Sequence, residues 1–182
     1  MNYKQPEFYR FSEDSTYLAK LVSEKYSGSE NDLVIADYGA GCGVVAIEFA
    51  LRHKRVKKIF FIEAQKEFIP FINENLKLLP SNVEYEIVNK PFSQTSYEKH
   101  FDLILSNPPY FRKGTGRISQ NSNKQICRTF EIDNFELLLQ KISKAIKNSG
   151  RAFLVLRDIT SGSKKLSIIA KKNNATFFEV LS

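Results

Sequence analysis

Leu33-Val34-Ile35-Ala36-Asp37-Tyr38-Gly39-Ala40-Gly41-Cys42-Gly43-Val44 runs from an apolar strand through a glycine-rich turn into a helix without a linker. Leu33–Ala36 has the short continuous apolar character of a buried strand. Val44 to about His53 places Val44, Ile47 and Leu51 on one helical face. Working outward, Val56–Ile62 reads as a second strand ending at Glu63, and 66–78 as a helix whose Pro70 must lie near the first turn or produce a kink. Residues 83–88 form a third strand and 101–106 a fourth. A long loop over 111–130 follows, then a helix from Asp133 or Asn134 to Lys147 that Asn148-Ser149-Gly150 closes with C-cap chemistry. Residues 152–156 make a fifth strand, 163–172 a helix and 175–181 the last strand. Upstream, Ser12 or Asp14 caps a helix to about Tyr26, with Leu18, Leu21 and Val22 on its buried stripe. Strands alternating with helices at this spacing specify right-handed βαβ units. The expected fold is α/β, a Rossmann-like three-layer sandwich with a mostly parallel sheet. One domain is expected over 1–182, with an N-terminal helical cap over 1–30 and the core over 31–182.

The turn carries chemistry. In Asp37-x-Gly39-x-Gly41-x-Gly43 the glycines permit positive φ and let a ligand approach the backbone without a Cβ in the way. The spacing differs from the dinucleotide fingerprint, and an acid opening the motif suits a cationic amino-acid ligand better than a phosphate. Glu63, at the end of the second strand, is placed to accept both hydroxyl protons of a ribose.

A second constellation follows the fourth strand, in Ser106-Asn107-Pro108-Pro109-Tyr110-Phe111. Each proline lacks an N–H and restricts the residue before it. The strand must therefore stop, leaving a stiff rim at its carboxyl end, where open α/β sheets bind ligands. Asn107 offers an amide oxygen, Pro108 a carbonyl and Tyr110 a flat face, the parts needed to grip a planar amine.

Composition narrows the setting. The chain has 182 residues, 42% of them hydrophobic, and a formal net charge of +7. No apolar run reaches bilayer length, and no signal peptide opens the sequence, so a cytoplasmic protein without membrane contact is expected. Cys42, Cys127, His53 and His100 show no metal-ligand or disulfide spacing, and Cys42 reads as a small filler inside the turn. Between Phe111 and Phe130, Arg112, Lys113, Arg117, Lys124 and Arg128 come without an acid, which points to a polyanionic partner. The second basic run, Arg52 to Lys58, reads as solvated surface.

Together, Asp37-x-Gly39-x-Gly41-x-Gly43, Glu63 and Asn107-Pro108-Pro109-Tyr110 resemble the amino-methylating class I S-adenosylmethionine-dependent methyltransferases. More narrowly, Gln5, Tyr9-Arg10-Phe11-Ser12-x-Asp14-Ser15 and Leu18-Ala19 resemble the opening of the bacterial tRNA(Val) adenine-N6 methyltransferase family. So do Asn107 to Phe111, Gly114-x-Gly116, Asn121 or Asn123, Ile126 and Arg128. The resemblance implies S-adenosylmethionine as cofactor, no metal, and tRNA as the nucleic-acid partner. Asp37, Gly39, Gly41, Gly43, Glu63, Asn89 and Asn107 would bind the cofactor, and Asn107, Pro108 and Tyr110 would act in catalysis. Pro109, Phe111, Arg112, Lys113, Arg117 and Arg128 would face the substrate. Arg10 and Phe11 would fold over the cofactor pocket, although Phe11 fits plain core equally well. Phe92 reads as core before it reads as a flank for the cofactor adenine.

Two departures stand out. Asn89 replaces the usual Asp after the third strand, keeping an acceptor but losing the charge. The usual last antiparallel strand is expected to be missing, so that 175–181 pairs with the fifth strand and leaves an open edge, with an edge-strand dimer as one consequence. Other readings stay open at this point. They are a glutamine-N5 methyltransferase acting on release factor, a DNA or ribosomal RNA adenine methyltransferase, and a catalytically silent cofactor-binding module.

Overall fold

A computed structural model describes residues 2–26, 31–108, 135–157 and 166–181. Its centre is a seven-stranded sheet in the order β3-β2-β1-β4-β5-β7-β6. The strands are β1 (Leu33–Tyr38), β2 (Val56–Ile62), β3 (Glu84–Val88), β4 (Phe101–Ser106), β5 (Ile146–Arg157), β6 (Leu166–Lys172) and β7 (Ala175–Val180). Strands β3, β2, β1, β4 and β5 pair parallel, whereas β7 runs antiparallel to both β5 and β6.

Period-two alternation divides the apolar side chains between two faces. Ile35, Ile59, Phe61, Leu103, Leu105, Phe153 and Val155 join one cluster with α1 (Glu13–Lys25), α2 (Val44–Arg52) and α3 (Ile69–Asn75). Ala36, Tyr38, Phe60, Ile62, Ile104, Leu154 and Leu156 face the other way, onto Leu138, Leu139 and Ile142 of α4 (Phe135–Ala145). Burial on both faces explains why the central strands are nearly continuous apolar runs. The three-layer expectation holds. Pro70 lies in the first turn of α3, flanked by 3₁₀ turns at 66–68 and 76–78. Phe92 stacks on Tyr38 at 6.5 Å and packs with the α4 face, as core.

Three expectations need correction. The last antiparallel strand is present. Strand β7 is that strand, inserted between β5 and β6, so the sheet ends at β6 rather than at 175–181. The segment read as a helix over 163–172 is strand from Leu166 to Lys172. Asn173, at φ 52°, turns it straight back into β7, and the hydrogen bonds paired with β7 outweigh the helix propensity of its lysines. The third concerns Asn148-Ser149-Gly150, which is no helix cap. Helix α4 ends at Ala145, and β5 begins at once and runs on through 157. The register against β4 shifts between Phe101 and Leu103.

Gly150 explains that irregularity. A Cβ on it would stand 2.8 Å from the Phe101 carbonyl oxygen and 2.8 Å from Ile146 Cγ1. Backbone on one side leaves the clash no way to relax. Gly150→Ala is therefore expected to destabilise the fold by about 1–3 kcal/mol, the usual cost of overpacking. A fall in the denaturant midpoint with unchanged slope checks it.

Candidate active site

Four parallel strands put their carboxyl ends in a row, and each end delivers one of the expected residues. Asn89 follows β3, Glu63 follows β2, Gly39 follows β1 and Asn107 follows β4. Backbone and side-chain bonds lock the row laterally. Glu63 donates its N–H to the Val88 carbonyl at 3.1 Å, and Gly39 and Ala40 donate theirs to the Ile62 carbonyl at 2.9 and 3.1 Å. Ser106 Oγ donates to the Tyr38 carbonyl at 2.7 Å, tying the end of β4 to the end of β1.

The glycines of the turn sit in the left-handed region, with φ of 74° at Gly39, 54° at Gly41 and 79° at Gly43. Any side chain would be strained there. At Gly43 a Cβ would also meet Phe61 Cε1 at 3.0 Å, whereas nothing lies within 4 Å of the Cβ position at Gly39. The turn is thus tight against the core at Gly43 and open at Gly39. Gly43 is also the N-cap of α2 and brings no capping oxygen of its own. Asp37 supplies one from β1: its Oδ2 accepts the Ala46 N–H at 3.1 Å, at the positive end of the helix. Its Oδ1 is buried and has no hydrogen-bond partner among the described residues.

Burial pushes the Asp37 carboxyl up to about 8; the Ala46 N–H opposes that shift, and Glu63 adds to it. Burial raises Glu63 as well, against the N–H groups that it accepts. The sign for stability follows. In the unfolded chain an aspartate ionises near pH about 4. From there to about 8 the folded state holds a proton that the unfolded state has lost, so stability falls as pH rises. A denaturation series across this window is expected to show that loss. Asp37→Asn should flatten the part of the slope that Asp37 contributes.

Glu63 is 6% exposed and works as a brace. Its Oε2 accepts the Gly41 N–H at 2.7 Å and its Oε1 the Gln65 N–H at 2.8 Å. A carboxylate has about four acceptor positions, so it keeps room for a diol. Asn89 Nδ2 donates to the Glu63 carbonyl at 2.8 Å, which orients the amide against the 63–64 bend. At the rim, Asn107 is half-buried, Pro108 is buried, and Asn107 Nδ2 donates to Ser15 Oγ on α1 at 2.8 Å. The helical cap therefore determines which way this amide faces. Pro109, Tyr110, Phe111, Arg112, Lys113, Arg117 and Arg128 lie outside the described residues. Cys42 is buried in the core beneath the turn, the filler that was expected.

Geometry adds three residues that the sequence did not single out for a role. Tyr9 places its hydroxyl 3.8 Å from the Cβ position of Gly41, so it stands at the turn, whereas Phe11 packs edge-on against Tyr3 at 5.6 Å. Ser15 holds the Asn107 amide. Asn75 is buried at the end of α3, and its spacing from Phe68 and Ile72 puts a polar residue on the apolar stripe, which is the readable signal.

The profile of the family described as "methyltransferase small domain" matches residues 13–176. The chain belongs to that family. This methyltransferase domain is 30% identical, over 123 residues, to a curated protein of Tolumonas auensis named tRNA1(Val) (adenine(37)-N6)-methyltransferase. The match covers 67% of the chain and 50% of that protein, so the domain spans about half the length of the curated relatives it matches. Among solved structures it resembles a ribosomal protein L11 methylase from Lactobacillus delbrueckii, with a TM-score of 0.62 and 16% identity, over 94% of this chain and 79% of that one. It also resembles a coclaurine N-methyltransferase bound to N-methylheliamine and SAH, with a TM-score of 0.53 and 20% identity, over 85% and 39% of the two chains. These likenesses place the fold among class I methyltransferases. Among the described residues no helix is long and apolar enough to cross a membrane.

Proposed function

We propose that the chain transfers a methyl group from S-adenosylmethionine to the exocyclic N6 amine of an adenine in RNA, most naturally tRNA. The observation that carries this is the lateral tie between β1 and β4. It sets the Asn107–Pro108 rim beside an open glycine turn. The relatives named as tRNA adenine-N6 methyltransferases support the choice of adenine and of tRNA.

The residues fit the cofactor. Asp37 Oδ1 is buried without a partner among the described residues; an ammonium group beside it would favour the ionised carboxylate and be accepted by it, and Glu63 keeps lone pairs for a ribose diol. Asn89 can turn its amide oxygen to an adenine amine while its Nδ2 holds the 63–64 bend. Bound there, the cofactor supplies an electrophilic methyl on a sulfonium. Asn107 Oδ1 and the Pro108 carbonyl accept the two amine hydrogens. That favours a pyramidal nitrogen whose lone pair is no longer spread into the ring. As the N–C bond forms and the S–C bond breaks, the nitrogen becomes acidic and releases one proton to the acceptors or to water. No base is required beforehand. Tyr110 stacks on the base, a contact worth about 1–3 kcal/mol, which offsets the cost of extruding a stacked nucleotide. Pro109, Phe111, Arg112, Lys113, Arg117 and Arg128 line the substrate side, the cations neutralising phosphates.

Labelled-methyl transfer onto bulk tRNA, DNA and a release factor, side by side, tests the assignment. Label in N6-methyladenine of tRNA is expected. Label on the protein alone would assign the site to glutamine amides, and none with intact SAH binding would make it a silent cofactor module.

A further inference from the structure

We propose that Asn75 is a positioning residue that clasps residues 2–12 over the glycine turn and thereby sets the affinity for the cofactor. The inference rests on the reading that the 39–43 turn holds that cofactor. Asn75 is 2% exposed. Its Oδ1 accepts the Lys4 N–H at 2.8 Å, and its Nδ2 donates to the Lys4 carbonyl at 2.9 Å. The side chain thus pairs with one residue of the N-terminal segment as a neighbouring strand would. The same Nδ2 donates to the Cys42 carbonyl at 2.9 Å. Cys42 lies between Gly41 and Gly43, both in the left-handed region. One buried amide therefore joins α3, the N-terminal segment and the middle of the turn, entirely through backbone atoms.

What the clasp holds down is specific. Beyond Lys4 the segment folds on itself. Tyr9 donates its N–H to the Pro6 carbonyl at 3.0 Å, and Phe11 donates its N–H to Gln5 Oε1 at 3.1 Å. This compact loop stands the Tyr9 ring edge-on to Phe68, 5.1 Å between centroids, with its hydroxyl beside Gly41. Tyr3 pins the other end, donating from its hydroxyl to Glu48 Oε1 of α2 at 2.9 Å. A buried amide whose only duty was stability would have no reason to join the ligand-facing turn to the segment that covers it. With the clasp broken, the segment is docked for a smaller fraction of the time. The apparent Kd of a ligand that needs the docked form rises by that factor.

SAH binding by calorimetry, on the whole chain, tests this. Asn75→Ala is expected to raise the Kd about tenfold. Asn75→Asp should bind no better than Asn75→Ala, because it sets a second oxygen against the Lys4 and Cys42 carbonyls. Ile72→Val, in the same helix and fully buried, is the stability control: a lower melting temperature with an unchanged Kd. A folded Asn75→Ala with the wild-type Kd overturns the clasp. A wild-type chain that binds no SAH overturns the reading of the turn itself, and the clasp with it. Should Asn75→Ala not fold, hydrogen exchange on the wild type decides. SAH is expected to slow the Lys4 and Phe11 amides, and unchanged rates overturn the proposal.

Discussion

Asn107→Ala is expected to lower methyl transfer by at least about a hundredfold, the effect of deleting one aligned polar group that acts on the transition state, while SAH affinity stays nearly unchanged. The reason for the split is positional. Asn107 leaves β4 at a proline that ends the strand, and its Nδ2 is anchored to Ser15 on α1. With the donor side of the amide held there, the acceptor side faces away from the cap. Alanine removes an acceptor that matters only when the amine nitrogen changes geometry, so the loss falls on kcat. Ser15→Ala, which removes this anchor of the amide, should lower kcat in the same sense by a smaller factor. Equal loss of turnover and SAH binding in Asn107→Ala would make the residue structural.

Glu63→Ala is the second large effect, and it falls on binding. The carboxylate holds the Gly41 and Gln65 N–H groups. Removing it leaves two backbone donors without their acceptor in a largely buried place, each costing about 1–3 kcal/mol. The turn must relax to find new partners, and the ribose acceptor disappears with the same substitution. SAH affinity is expected to fall at least about thirtyfold, the equivalent of two such losses at the lower end of the range. Glu63→Gln, which keeps one carbonyl oxygen, should lie between. Calorimetric titration of the three proteins checks the order, and an unchanged Kd in Glu63→Ala would remove Glu63 from the site.

Much of the frame was legible because local and global signals agreed. The apolar run ending at Ser106 could only be a buried strand cut off by Asn107-Pro108, and three glycines in alternation could only be a turn with positive φ. Pro70 left a helix start or a kink open, and the structure takes the helix start. Where reading failed, pairing partners distant in sequence decided the outcome. Leu166–Lys172 carries as much helix character as strand character, and the partner that settles it is β7, reached through a turn of two asparagines. Gly150 looked like a helix terminator because glycine usually is one. Its actual cause is the Phe101 carbonyl, a backbone atom far away in the chain. The site divided in the same way. Asp37, Glu63 and Asn107 announced themselves by position at strand ends. Their partners Ala46, Gly41 and Ser15 did not, and Asn75 was visible only as a polar residue on an apolar stripe. Asp37 also took on an unexpected duty, capping a helix whose own N-cap is a glycine.

The account stands on the glycine turn and the Asn107 rim being two halves of one cavity. A crystal structure of the chain grown with SAH tests that most directly. The expected density has the ribose hydroxyls on Glu63, the amino-acid end beside the 39–41 turn, and the sulfur turned toward the Asn107 amide. SAH bound elsewhere, or seated on the turn with its sulfur walled off from Asn107, would contradict it.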